Sequence, residues 1–158
     1  MRRRVLLLLL LASPAAAQAR LTEAEVLSFV ARQERAWNAG DLDAYFAGFD
    51  RRAVFIDQAL SNENTIVPYG RSTVAQARTQ ARRVLERGKA SERGQVRAVR
   101  ISQNGRGAAV AADLASRIET GGGARTVCAR RLLTLARIGG RLRALSQTDT
   151  VLRCRAAP

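Results

Sequence analysis

The chain has 158 residues, with 27 lysines and arginines against 13 aspartates and glutamates, a formal net charge of +14, two cysteines and no histidine. Without histidine there is no Ser-His or Cys-His nucleophile pair, and two cysteines are too few to close a structural zinc site. The arginines are scattered, with no interleaved aromatics and no dense block, so they read as a solvated surface and argue against a nucleic-acid footprint.

The chain opens on Met1-Arg2-Arg3-Arg4, runs apolar from Val5 to Ala12, breaks at Pro14 and continues through Ala17-Gln18-Ala19. This basic, apolar and small-residue order predicts a secretory signal over residues 1–19, cleaved after Ala19. The apolar run is far shorter than the roughly 20 residues a spanning helix needs. No stable membrane anchor is expected after cleavage. Residues 20–158 then form one domain, placed in the periplasm or outside the cell.

Thr22 and Glu25 make a capping box, which predicts a helix start. Val26, Val30, Gln33 and Trp37 share one face of that helix. Gly40 ends it and Asp41 caps a second, short helix with Leu42, Tyr45, Phe46 and Phe49 on its apolar face. Residues 53–57 read as a strand with Phe55 and Asp57 on one side. Residues 58–70, polar and holding Pro68 and Gly70, read as a loop. Thr73 and Gln76 cap a third helix running to about Arg87. Strands are predicted over residues 95–103, 107–119, 125–138 and 141–154, separated by Asn104-Gly105, Gly121-Gly122-Gly123 and Gly139-Gly140. The order predicts an α+β domain, a curved antiparallel sheet wrapped around three helices.

Two cysteines in an exported chain suggest one disulfide, Cys128–Cys154, against the alternative of two buried free thiols. The Gly139-Gly140 turn should set Ile138 opposite Arg141. Counting on from there sets Cys128 opposite Val151, three residues short of Cys154. A longer turn or a bulge in the last strand would absorb the slip.

The stretch Ala36-Trp37-Asn38-Ala39-Gly40-Asp41-Leu42-Asp43-Ala44-Tyr45-Phe46 is similar to the first helix junction of the nuclear transport factor 2-like superfamily, which includes SnoaL-like cyclases and ketosteroid isomerases. Ala53-Val54-Phe55-Ile56-Asp57, Tyr69-Gly70-Arg71 and Val99-Arg100-Ile101-Ser102-Gln103-Asn104-Gly105 resemble the isomerase branch. The resemblance implies a cone fold with a pocket at its open end. It also implies that Asp57 occupies the position of the proton-transferring carboxylate. The two oxyanion donors of the isomerases correspond to Gln33 and Leu132. One donor is thereby weakened and the other lost, at about 3 kcal/mol each, so steroid isomerisation is not expected. By the same resemblance Gln147 and Asp149 face inward, and Asp113 and Arg130 are candidates to do so. Trp37 and Phe55 are candidate ligand contacts.

No metal, nucleotide or flavin motif is present, so no cofactor is expected. Two readings remain. One is an exported small-molecule-binding protein with cofactor-free isomerase, lyase or cyclase chemistry on Asp57. The other is a non-catalytic exported binding or assembly module. Val110, Leu114 and Ile118 form the apolar side of one strand, facing either the helices or a second copy in a homodimer.

Overall fold

The structure, a computed structural model, describes residues 20–154. The expected export signal lies outside them. Three helices, α1 (Glu23–Asn38), α2 (Leu42–Ala47) and α3 (Val74–Glu86), pack on the concave side of one six-stranded sheet. The strands are β1 (Phe49–Leu60), β2 (Ile66–Thr73), β3 (Gly88–Ile101), β4 (Gly107–Thr120), β5 (Gly123–Ile138) and β6 (Arg141–Leu152). Their spatial order is β2-β1-β6-β5-β4-β3. The α+β class with a curved, unclosed sheet is as expected, and one pair, β1 with β6, runs parallel.

Local chemistry sets the helix ends. Both capping boxes form: Thr22 accepts from the Glu25 N–H at the start of α1, and Thr73 from the Gln76 N–H at the start of α3. Asp41 caps α2 through the Ala44 N–H. These contacts satisfy donors that a bare helix start leaves open.

Two segments differ from expectation. Residues 58–70 are not a loop, because β1 continues to Leu60 and β2 begins at Ile66. β2 is an edge strand whose Ile66, Val67 and Tyr69 are exposed. An edge tolerates Pro68 and needs no apolar alternation, so the strand carried no readable signal. β3 starts at Gly88, earlier than residue 95, and it is the other edge.

The core lies between the sheet and α1 and α2. Val26 and Phe29 of α1 meet Val110, Leu133 and Leu135 of the central strands, all nearly inaccessible. Beside them Tyr45, Phe46, Phe49 and Phe55 form an aromatic cluster, with Phe49 and Phe55 centroids 4.7 Å apart. Each such pair contributes about 0.5–1.5 kcal/mol beyond its buried area. Val110 and Leu114 belong to this inner side. Their stripe therefore faces the helices and is not an exposed surface for a second copy.

Gly139 and Gly140 both take positive φ (55° and 76°), the geometry of a tight hairpin turn that other residues enter at a cost. Ile138 faces Arg141 as expected. The register then shifts by one between Thr134 and Leu135, and Cys128 comes to face Leu152. Cys154, just past the end of β6, reaches back and is bonded to Cys128, with Cα atoms 5.1 Å apart. The bulge absorbs one residue of the slip and the chain beyond the strand absorbs the rest.

Candidate functional site

The open end of the sheet and α3 enclose a cavity of about 350 Å³. Its wall is largely apolar: Trp37 from α1, Tyr45 and Phe46 from α2, Phe55 from β1, and Ala77, Ala81 and Val84 from α3. Tyr69, 64% exposed on the edge strand, also lines it. The polar side chains come mainly from the sheet, among them Asp57, Glu92, Arg131, Gln147 and Asp149.

Asp57 and Asp149 are register partners across the parallel β1–β6 pair, so their side chains leave the same face. On the other side Asp57 faces Gly70 of β2. A Cβ at Gly70 would lie 3.0 Å from Asp57 Oδ2 and 3.1 Å from its Cβ, so the glycine is what gives this carboxylate its room.

The two carboxylates have opposite surroundings. Asp149 is locked: Arg131 Nε donates to Oδ1 at 2.7 Å, Arg131 Nη2 to Oδ2 at 2.8 Å, and Gln147 Nε2 to Oδ2 at 3.0 Å. Arg131 also donates to both oxygens of Glu92, at 2.7 and 3.1 Å. The chain of contacts ends at Tyr45, whose hydroxyl donates to Gln147 Oε1 at 3.0 Å. Glu92 and Arg131 keep only 8% and 14% of their side-chain surface exposed, so this is a buried ion triplet joining β3, β5 and β6. Burial alone would lower the Arg131 pKa, but the Asp149 and Glu92 carboxylates more than offset it and hold the guanidinium protonated. Burial also pushes the Tyr45 hydroxyl up to about 12, so it stays a donor.

Asp57 has no hydrogen-bond or ion-pair partner among the described residues. Its carboxyl is raised above the ordinary aspartate range, first by partial burial, then by the neighbouring Asp149 charge, with Arg131 pulling it back. The cavity thus pairs one fixed carboxylate with one free one, and the free one binds a proton more readily than an ordinary aspartate.

The expected site residues divide clearly. Trp37, Phe55, Asp57, Gln147 and Asp149 all line the cavity. Gln33 does not; Tyr45, Glu92, Arg131 and Gln147 stand between it and the cavity, lining the cavity on one side and a small space behind it on the other. Asp113 and Arg130 lie on the convex face, where Asp113 pairs with Arg97 at 2.7 Å and with Arg130 at 3.1 Å. Leu132 is 49% exposed on that same face and occupies no donor position.

The β5–β6 pairing holds one irregularity: Leu145 of β6 is an extra residue facing Thr134 and Leu135. An unbroken hairpin would set Arg130 opposite Asp149. The extra residue in β6 sets Asp149 opposite Arg131 instead, while β5 alternates without a break and keeps Arg130 and Leu132 on the outer face. Arg131 and Glu92, the groups sequence reasoning missed, read as ordinary charged strand residues. The available signal was parity: Arg131 shares its side of β5 with the buried Leu133 and Leu135. Among the described residues no cluster of His, Cys, Asp or Glu is disposed to hold a metal ion.

No family model matches the sequence, and no curated protein does. Solved structures do match in fold. A ketosteroid isomerase-like protein from Erwinia carotovora atroseptica superposes with a TM-score of 0.64 at 12% identity, over 83% of this chain and 96% of its own. A nuclear transport factor 2-like protein of unknown function from Shewanella oneidensis gives 0.59 at 14% identity, over 80% and 97%. A protein with a cystatin-like fold from Nostoc punctiforme gives 0.59 at 16% identity, over 85% and 96%. The chain has the fold these proteins share, the nuclear transport factor 2-like cone.

Proposed function

We propose that this cone-fold chain is an exported small-molecule-binding protein whose cavity supports cofactor-free proton transfer by Asp57. The observation that carries the reading is the contrast between the two adjacent carboxylates. Asp149 spends both oxygens on Arg131 and Gln147, whereas Asp57 is free and raised, the condition of a general base. In such a step the Asp57 carboxylate takes a proton from carbon next to a carbonyl. The electron pair moves towards the carbonyl oxygen, and the proton returns at another carbon. The apolar wall suits a compact, mostly uncharged ligand. The Cys128–Cys154 bond and the predicted signal over residues 1–19 support export.

A second reading, binding without turnover, has its own observation. Neither position that the resemblance matches to an isomerase oxyanion donor faces the cavity: Gln33 is behind the Tyr45–Gln147 contact and Leu132 is on the convex face.

One experiment separates the two. Neutral carbonyl compounds are screened by thermal shift, and each hit is followed by NMR for exchange of its acidic C–H with deuterium. Exchange in the parent that is lost in Asp57→Asn supports proton transfer. Hits that bind without exchange support the binding module. An absence of hits across the screen sinks the small-molecule reading.

A further inference from the structure

Three buried side-chain polar atoms have no hydrogen-bond partner among the described residues, and two of them, Gln33 Oε1 and Arg137 Nε, line one groove away from Asp57. The groove, about 790 Å³, runs between α1, the α2–β1 junction and the turn end of the β5–β6 hairpin. It shares no lining residue with the Asp57 cavity. Its apolar lining includes the half-buried Leu142 and the exposed Ala44 and Ala47, and four arginines converge on it: Arg32, Arg137, Arg141 and Arg143.

The only carboxylate in this lining is Glu25, and it is fully engaged. Its Oε2 accepts from the Thr22 N–H at 2.9 Å and hydroxyl at 3.2 Å, and its Oε1 accepts from Arg137 Nη2 at 2.7 Å. The remaining guanidiniums have no counter-charge among the described residues. Arg143 donates to the Ala47 carbonyl, and Arg32 reaches only the Ser28 hydroxyl at 2.9 Å. Arg141 has no ion pair or side-chain hydrogen bond among the described residues. Three uncompensated positive charges around one concavity repel each other, and the low-dielectric walls concentrate their field. Guanidiniums answer that with a planar or tetrahedral oxyanion, held by paired N–H donors.

We infer that this groove binds an organic anion, with an apolar body against Leu142, Ala44 and Ala47 and a carboxylate, sulfonate or phosphate group among the arginines. The inference is independent of the chemistry at Asp57.

The test is a fluorescence titration of the purified protein with 8-anilinonaphthalene-1-sulfonate, beside the uncharged N-phenyl-1-naphthylamine. Saturable binding of the sulfonate is expected to weaken about tenfold or more in the Arg32→Gln/Arg141→Gln double variant, and to weaken with added salt. Both arginines are on the surface, and an unchanged circular dichroism melt of the double variant confirms that it folds. Asp57→Asn should leave sulfonate binding unchanged. The inference is overturned if the double variant binds the sulfonate as the parent does, if Asp57→Asn alone abolishes binding, or if no binding occurs at millimolar probe.

Discussion

The β5–β6 hairpin carries a concave region at each end, and the two treat charge in opposite ways. At the open end, the Asp57 cavity gathers Glu92, Asp149 and Asp57 around the single buried cation Arg131 and raises its free carboxyl. At the turn end, the groove gathers four arginines around Glu25 and lowers that carboxyl, through the Arg137 hydrogen bond first and the Thr22 N–H second. The Arg131, Glu92 and Asp149 charges of the cavity are buried and mutually satisfied, so they belong to the fold, and Asp57 alone is left free. Those of the groove are mostly exposed, so they add little to stability and remain free for a ligand. In a chain so rich in arginine, position decides which arginine is structural.

The sharpest break of this comparison is Arg131→Ala against Arg141→Ala. The first leaves Glu92 and Asp149 buried without their cation and should cost about 3–5 kcal/mol in urea unfolding. The second should stay within about 0.5 kcal/mol of the parent. Equal losses would dissolve the distinction between the two regions.

Reducing the Cys128–Cys154 bond should cost about 3–4 kcal/mol, from the 26-residue separation it closes. Val127 and Val151, next to the bond, line the cavity, while Arg137 and Arg141 line the groove. Amide exchange should therefore quicken first at residues 126–130 and 150–152 and last at the turn. Uniform acceleration would show that the hairpin opens as one unit.

Gly70→Ala puts a Cβ against Asp57 and should cost about 1 kcal/mol, the low end of overpacking, because the carboxylate can give way. Its larger effect should be weaker ligand binding in the cavity with groove binding unchanged. Loss at both would mean that the two regions communicate.

The smallest effect is in pH. Asp57 has its folded pKa raised, so its stabilising contribution is complete below the unfolded pKa and is lost as pH rises through the folded one. Glu25 has its folded pKa lowered, so its contribution is present above the unfolded value and is lost as pH falls through the folded one. Asp57→Asn should thus melt slightly higher than the parent at neutral pH, and carboxyl NMR titration should find the two groups displaced in opposite directions.

Much of this architecture was legible because it is locally encoded. The capping boxes at Thr22 and Thr73, Asp41, and the Asn104-Gly105 and Gly139-Gly140 turns each fix a boundary within a few residues. Asp57 beside Phe55 followed from strand alternation alone. Edge strand β2 and the first half of edge strand β3, residues 88–94, were not legible, because an edge buries little and shows no pattern. The Arg131 triplet was hidden by a single bulge opposite Thr134, a feature of backbone geometry with no residue signature here. One extra residue in β6 sets Asp149 opposite Arg131 rather than Arg130, and so on the cavity side of the sheet.

The parallel seam between β1 and β6 carries a consequence for how the chain is made. β1 is the first strand of the sequence and β6 its last, yet the cavity needs both, since Asp57 comes from one and Asp149 from the other. Synthesis runs from the amino end, so β1 emerges with only β2 to pair with and waits for residues 141–152. A nascent chain stalled before Gly139 has its helices, most of its aromatic cluster and Asp57, but no partner along the inner edge of β1. That edge is exposed for the whole of elongation, and closing it is the step that turns two half-sheets into a vessel.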